Sequence, residues 1–207
     1  MIRNIGDLIS NTFYNGIINT GIDDKDRRHN IPLYEDYSIV WYNTSKLSDR
    51  YQNAPDGGSF INTTENNVIK SILSRMNELG NAQELDIGII TGYSGQKCLI
   101  KKAVSNCDFS NIGKIDINTL DAFQGRENDI IIYSTVRTSE SIGFQKEKER
   151  INVAFSRAKK LLIVCGDMDF FYNWDNGENK YVEIIDYIKG NSQNCMIINL
   201  EEGDLSE

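Results

Sequence analysis

The stretch KIDINTLDAFQGRENDIIIYSTV, residues 114–136, decides the fold class. Two apolar runs, at residues 114–118 and 130–136, enclose a polar turn that places Asp, Gln, Arg and Glu around Gly125. The second run is almost continuously apolar, which is typical of a strand covered on both faces of a parallel sheet. The stretch therefore predicts two strands of such a sheet, joined by a turn rich in chemically active side chains.

Further strands and helices alternate on both sides of this stretch. Apolar runs predict strands at residues 37–43, 85–91, 161–167 and 195–200. Apolar positions three and four residues apart predict helices at residues 3–16, 63–79, 93–106, 148–160 and 179–190. We interpret the charged segment 20–30 as a solvated loop. The alternation predicts an α/β fold with a doubly wound, mostly parallel sheet and helices on both faces.

The length of 207 residues suits one domain with a well-buried core. We divide it into an opening helix, loop and first strand (1–60), a main α/β core (61–200) and an acidic tail (201–207). The net charge of −8 argues against a protein that coats nucleic acid, because long-range attraction to phosphate needs positive potential. Any contact with nucleic acid must then be local.

The four cysteines and the single histidine, His29, lack the spacing of a zinc site, so we predict no metal site. No apolar run approaches the roughly 20 residues of a membrane helix, and no secretory signal opens the chain. We expect a cytoplasmic protein with no membrane partner.

Polar clusters follow three of the predicted strands. They are TGYSGQ at residues 91–96, TLDAFQGRE at residues 119–127, and Gly166 with Asp167. In an open parallel sheet, ligands bind beyond the carboxyl ends of the strands. We therefore expect all three clusters at that edge of the sheet.

A fourth polar cluster lies on the predicted helix 148–160. Arg150 and Arg157 are seven residues apart, which puts them on one side of a helix with their heads roughly 10 Å apart. A solvated amphipathic face explains this pattern as well as a pair of arginines aimed into a cleft. The helix alone does not decide between the two readings.

The order and spacing of several motifs resemble the later motifs of superfamily 1 helicases. The matching strings are IGIITGYSGQ, INTLDAFQGRENDIIIYSTVR and GFQKEKERINVAFSRAKKLLIVCGD. The branch they are most similar to contains the nonsense-mediated-decay RNA helicase and related DNA helicases. Upstream, GSFINTTENNVIKSIL resembles the Ser-x-x-Asn-x-x-Glu segment of the same family, and residues 1–21 resemble the stretch after its Gln-Tyr-Arg-Met-His-Pro signature. The resemblance implies a RecA-like fold.

The chain lacks a GxxxxGK[ST] phosphate loop and an Asp-Glu pair closing an apolar strand. Superfamily 1 helicases carry both in a first RecA-like domain, so the resemblance implies that this chain is the second, C-terminal one. ATP and Mg²⁺ are then expected in the full-length helicase, and neither in this chain alone. The expected partners are the first RecA-like domain and single-stranded DNA or RNA.

The resemblance also implies roles for individual residues. Arg157 matches the arginine finger, the catalytic residue that neutralises charge on the γ-phosphate. Four residues match nucleotide-binding positions: Gln124, Gly125, Glu127 and Arg150. Six match nucleic-acid-binding positions: Thr91, Tyr93, Gln96, Thr119, Ser134 and Arg137. A structural salt bridge is an alternative for Arg126 and Arg150, and a packed loop aromatic is an alternative for Tyr93.

These residues predict the motor domain of an ATP-dependent helicase that is catalytically incomplete by itself. A stand-alone nucleic-acid-binding or regulatory module derived from a helicase is the main alternative. An unrelated small-molecule enzyme is disfavoured, because the chain has no Gly-rich dinucleotide turn and no nucleophile elbow. The sequence upstream of Met1 would discriminate between the first two readings.

Overall fold

A computed structural model describes residues 1–19, 21, 28–123 and 125–205 as an α/β structure built on one six-stranded sheet. The strands are β1 (Ile39–Asn43), β2 (Ile87–Thr91), β3 (Ile115–Thr119), β4 (Asn128–Ser134), β5 (Ala158–Gly166) and β6 (Cys195–Asn199). Their order is β3-β2-β4-β5-β1-β6, and every pairing is parallel. The predicted RecA-like α/β fold is confirmed, with a sheet that is wholly parallel.

Helices cover both faces of the sheet. They are α1 (Arg3–Tyr14), α2 (Thr63–Leu79), α3 (Ser94–Ser105), α4 (Lys148–Phe155), α5 (Met168–Asn173) and α6 (Lys180–Gly190). One apolar core lies between the sheet and α1, α4, α5 and α6, and a second lies beneath α2 and α3. Within β1, Trp41 belongs to the first core and its neighbours Val40 and Tyr42 to the second. Burial on both faces explains why this strand has no polar alternation.

Helix α2 occupies the range that the sequence predicts. The Asn62 side chain caps it by accepting a hydrogen bond from the Glu65 N–H at 2.9 Å, and Gly80 ends it in the left-handed conformation at φ 68°. Its apolar stripe, which includes Val68, Ile72 and Met76, is buried against the sheet.

The predicted helix 148–160 is wrong in its second half. Helix α4 ends at Phe155, and Ala158 already begins β5, where it pairs with Asn128 of β4. The Asn128 N–H also donates to the Arg157 carbonyl at 3.1 Å. Pairing with β4 therefore makes residues 158–160 part of a strand instead of a helix. As a result, Arg150 and Arg157 do not share a helical face.

Helix α5 was not predicted; Asp167 caps it by accepting from the Phe170 N–H at 2.9 Å. Most of the predicted polar loop 20–30, namely Thr20 and residues 22–27, lies outside the described residues, as do residues 206–207 of the tail. Among the described helices, none is both long enough and apolar enough to cross a membrane.

Candidate functional site

The predicted site residues fall at two opposite edges of the sheet. Thr91, Thr119 and Ser134 are the last residues of β2, β3 and β4, at the carboxyl edge. Glu127 and Arg157 directly precede β4 and β5, at the amino edge. Because all strands are parallel, the five-residue strand β2 separates the two edges by roughly 16 Å.

The segment 119–127 is therefore not one loop at the carboxyl edge, and that prediction is wrong. It leaves the carboxyl edge at Thr119, forms a short 3₁₀ turn at Asp121–Phe123, and reaches the amino edge before Asn128. Phe123 is fully buried where the segment crosses the sheet. Gly88 of β2 admits this ring, since a Cβ there would lie only 2.6 Å from the Phe123 Cζ atom. The segment physically links the two edges.

Glu127 and Arg157 are neighbours at the amino edge, because the residues that follow them are ladder partners. The partly buried Arg157 guanidinium donates from Nε to the Val153 carbonyl and from Nη2 to the Ser156 hydroxyl, both at 3.1 Å. Among the described residues, no carboxylate pairs with Arg157. Glu127 is exposed. A guanidinium with unused donors, as far as the described residues show, and an exposed carboxylate thus extend from adjacent backbone positions.

The other predicted nucleotide-binding residues have different surroundings. Arg150 pairs with Glu147 at 2.9 Å and with Asp121 at 3.6 Å, which is the salt-bridge alternative. Arg126 likewise pairs with Asp116 at 2.8 Å. Gln124 lies outside the described residues.

Gly125 is exposed and adopts a φ of 79°. Nothing lies within 4 Å of a Cβ built on it, so the glycine is required by the left-handed backbone and not by crowding.

Three of the predicted nucleic-acid-binding residues are fully buried at the carboxyl edge. They are Thr91, Gln96 and Ser134. The Gln96 amide donates to the Asn62 carbonyl at 3.0 Å and to the Ser134 hydroxyl at 3.1 Å, and its oxygen accepts from the Asn62 N–H at 2.7 Å. In this conformation these three side chains present no surface to a nucleic-acid strand, and their direct contact with one stays a prediction. The hydrogen bonds of Gln96 connect α3 with the end of β4 and with Asn62 at this edge.

Arg137 is also buried, and its guanidinium makes hydrogen bonds within its own loop. Only 4% of it is exposed, and its guanidinium donates to the Ser141 carbonyl at 2.8 Å and to the Ser139 carbonyl at 3.2 Å. The same group lies 4.1 Å from the centre of the Phe60 ring. Its charge is close to the edge, but its donors shape residues 137–141.

Tyr93 and Thr119 remain partly exposed at the carboxyl edge. The Tyr93 ring packs edge-on against Phe60 at 5.7 Å and Phe144 at 5.1 Å between ring centres. Partial burial raises the pKa of its hydroxyl above the usual value, so it stays a neutral donor. Tyr93 is thus a packed loop aromatic that remains partly exposed.

The sequence reasoning missed Glu65, which is fully buried on α2. Its carboxylate accepts hydrogen bonds from the Ser134 hydroxyl at 2.6 Å, the Thr135 hydroxyl at 3.0 Å and the Val136 N–H at 2.9 Å. Burial raises the pKa of this carboxyl to about 7, against the lowering effect of these donors. The signal was present in the Ser-x-x-Asn-x-x-Glu segment, but nothing in the sequence shows which loop the glutamate contacts.

Among the described residues, no group of three or more His, Cys, Asp or Glu side chains is arranged to hold a metal ion. The four cysteines are free thiols, two of them buried.

Comparison with known proteins places these features in a family context. The profile of the AAA domain family matches residues 1–169. DNA polymerase alpha-associated DNA helicase A of Saccharomyces cerevisiae is 33% identical over 185 residues, which are 80% of this chain and 25% of that protein. The regulator of nonsense transcripts 1 homolog of Neurospora crassa is 34% identical over 168 residues, 76% of this chain and 15% of that protein.

A third relative is the ATP-dependent helicase upf1 of Schizosaccharomyces pombe. It is 35% identical over 167 residues, which are 76% of this chain and 18% of that protein. The chain thus spans a quarter or less of the length of these relatives.

Proposed function

The chain belongs to the AAA domain family and is a superfamily 1 helicase-related domain, and from this premise we propose that it is the second, C-terminal RecA-like domain of an ATP-dependent helicase. In this proposal its amino edge completes a nucleotide site that a first domain begins, and its carboxyl edge forms part of a single-strand track. The observation that carries the proposal is the adjacent placement of Arg157 and Glu127 at one edge, with the guanidinium free of any carboxylate partner among the described residues.

The amino edge fits the nucleotide of an ATP–Mg²⁺ complex held by the first domain. Arg157 is anchored through the Val153 carbonyl and the Ser156 hydroxyl, and its remaining donors can face phosphate oxygens. In the role of arginine finger it stabilises the charge that develops on the γ-phosphate during hydrolysis. Glu127 can accept hydrogen bonds from ribose hydroxyls, and Gly125 lets the backbone approach the ligand.

Arg150 has a structural role in this proposal, through its ion pairs at α4. Its two acidic neighbours neutralise it, and its guanidinium lies 5.4 Å from the centre of the Phe144 ring. Direct contact with the nucleotide would require both ion pairs to open.

The carboxyl edge supplies hydroxyls and main-chain groups to a single strand. Of the six residues predicted to bind nucleic acid, Thr119 and Tyr93 are the least buried. Phosphate contacts of this kind hold a strand without reading its sequence. Thr91, Gln96, Ser134 and Arg137 take part indirectly, by fixing the loops that present the edge.

The chain has no phosphate loop, so we expect it neither to bind ATP tightly nor to hydrolyse it alone. When a matching first domain is fused to it, single-strand-stimulated ATP hydrolysis should appear.

Arg157→Ala in that fusion should lower the stimulated rate by about 10³- to 10⁵-fold, the contribution of an arginine finger. Arg157→Lys should recover little of the rate, because an ammonium lacks the planar fork. Arg126→Ala is the matched control, since Arg126 is an exposed arginine at the same edge of the sheet and pairs with Asp116. ATP hydrolysis that survives Arg157→Ala unchanged would remove the finger assignment.

A further inference from the structure

A buried carboxylate on α2 contacts three consecutive residues at the end of β4. We propose that Glu65 is a positioning residue that sets the backbone of residues 134–137 and so builds the carboxyl-edge surface offered to a single strand. This inference rests on the proposed function and deepens it, since it names a buried residue that shapes the single-strand surface without contacting the nucleic acid.

Every oxygen of the Glu65 carboxylate is engaged by this segment. Oε2 accepts from the Ser134 hydroxyl at 2.6 Å, and Oε1 accepts from the Thr135 hydroxyl at 3.0 Å. The Val136 N–H lies 2.9 Å from Oε1 and 3.0 Å from Oε2. Both the side chains and the main chain of the segment therefore point to one acceptor group.

Val136 shows why the segment needs such an anchor. Its φ is 69°, in the left-handed region that a β-branched residue rarely adopts, and its side chain is fully buried. Its N–H is held by Glu65, and its carbonyl accepts from the Asn62 side chain at 3.1 Å. Both polar groups of this strained residue are thus fixed by the amino end of α2.

The direction of the following residues depends on this turn. After Val136, Arg137 reaches the Phe60 ring and the carbonyls of Ser139 and Ser141. Thr138 continues the loop and bonds through its N–H to the Gln52 side chain at 2.8 Å. Without the hydrogen bonds to Glu65, Val136 can leave the left-handed conformation. Residues 137–141 would then leave the end of β4 in a different direction.

Helix α3 supports the same arrangement. Gln96, near its amino end, donates to the Ser134 hydroxyl, which in turn donates to Glu65. Gln96 also makes two hydrogen bonds with the Asn62 backbone. The two helices therefore meet the end of β4 through a connected and fully buried set of polar groups.

A space-filling role alone does not explain this choice of residue. Burial of an ionised carboxylate is costly, and an apolar side chain of similar size would fill the same volume more cheaply. An acceptor at this position is needed only if the donors of residues 134–136 must be held in place.

The test compares binding of the 207-residue chain to fluorescein-labelled oligothymidylate and oligouridylate at low salt, measured by fluorescence anisotropy. Glu65→Leu keeps the volume and removes the acceptor, whereas Glu65→Gln keeps an oxygen for the Val136 N–H. Glu78→Leu is the matched control, because Glu78 is an exposed glutamate of the same helix.

We expect Glu65→Leu to weaken binding at least tenfold, with Glu65→Gln within about threefold of the wild type and Glu78→Leu unchanged. Hydrogen exchange gives a second measurement. The Val136 amide should exchange slowly in the wild type and in Glu65→Gln, and fast in Glu65→Leu, while the amides of β4 and β5 keep their protection.

A folded Glu65→Leu protein with wild-type affinity, or with a protected Val136 amide, overturns the inference. If Glu65→Leu does not fold, the double change Ser134→Ala with Thr135→Val removes two donors from the opposite side and should weaken binding at least threefold; wild-type affinity then overturns it as well. If the wild-type chain binds no oligonucleotide, the proposed single-strand track fails, and the exchange measurement still decides whether Glu65 sets the backbone.

Discussion

At the scale of single residues, Glu65 has an unusual environment, because its ionisable carboxyl group is fully buried. Burial raises the pKa of its carboxyl to about 7, the charge of Asp167 adds to the rise, and the hydrogen bonds from Ser134, Val136 and Thr135 oppose it. In the unfolded chain this pKa returns to the ordinary value of a glutamate carboxyl, 4.5. Between these values the folded state binds the proton more tightly than the unfolded state.

This difference predicts a pH-dependent free energy of unfolding. The contribution of protonated Glu65 to the free energy of unfolding is complete below about pH 4.5. It is lost as the pH rises through about 7, because the folded protein must then ionise a buried group. Urea unfolding between pH 5 and pH 8 should show the wild type losing up to about 3 kcal/mol relative to Glu65→Gln, at about 1.4 kcal/mol per pKa unit. Glu78→Gln, at an exposed site of the same helix, should follow the wild type at every pH. A constant difference between wild type and Glu65→Gln across this range would contradict the assigned ionisation.

At the scale of elements, the amino end of α2 joins two loops of the carboxyl edge. The Asn62 side chain accepts from the Glu65 N–H and donates to the carbonyls of Arg50, at 2.8 Å, and Val136, at 3.1 Å. A helix cap normally satisfies only the helix to which it belongs. This one also ties the loop after β1 and the loop after β4 to the helix.

Asn62→Ala should therefore cost more free energy of unfolding than an ordinary cap. Loss of a cap costs about 1 kcal/mol, and each of the two carbonyls left without its donor adds about 1–3 kcal/mol, so we expect a total loss of at least about 3 kcal/mol in urea unfolding. Asn67→Ala is the control, because Asn67 is exposed one turn further along the same helix and should change stability by less than about 0.5 kcal/mol. Equal losses for the two variants would mean that the loop contacts contribute nothing.

The elements also show how far the sequence alone could lead. Apolar runs and periodicity predict all six strands and the positions of five helices, because those signals are local. The end of α4 is different: residues 157–160 continue a helical pattern, and only their pairing with β4, about thirty residues earlier in the chain, turns them into a strand. The burial of Gln96 and the partners of Glu65 are equally nonlocal, since 34 and 69 residues separate those side chains from the groups that they bind.

At the scale of the whole molecule, the parallel sheet divides the two proposed activities between its two ends. Arg157 and Glu127 lie at the amino edge, and Thr119 and Tyr93 lie at the carboxyl edge. Segment 119–127 runs from one edge to the other and packs Phe123 against β2 on the way. The same segment thus begins beside the proposed strand and ends beside the proposed nucleotide.

This separation predicts that the two edges respond independently to substitution in the isolated chain. Roughly 16 Å of strand lies between them, beyond the Debye length of about 8 Å at 0.15 M salt, so the charge of Arg157 should contribute little to binding at the far edge. Arg157→Ala should change the oligonucleotide dissociation constant by less than about twofold at that salt concentration. Thr119→Val keeps the side-chain shape and removes one hydroxyl, and should weaken binding by about threefold to tenfold, the effect of one hydrogen bond. Fluorescence anisotropy on both variants provides the comparison. If Arg157→Ala weakens binding as much as Thr119→Val does, the strand contacts the amino edge as well, and the assignment of one activity to each edge must be abandoned.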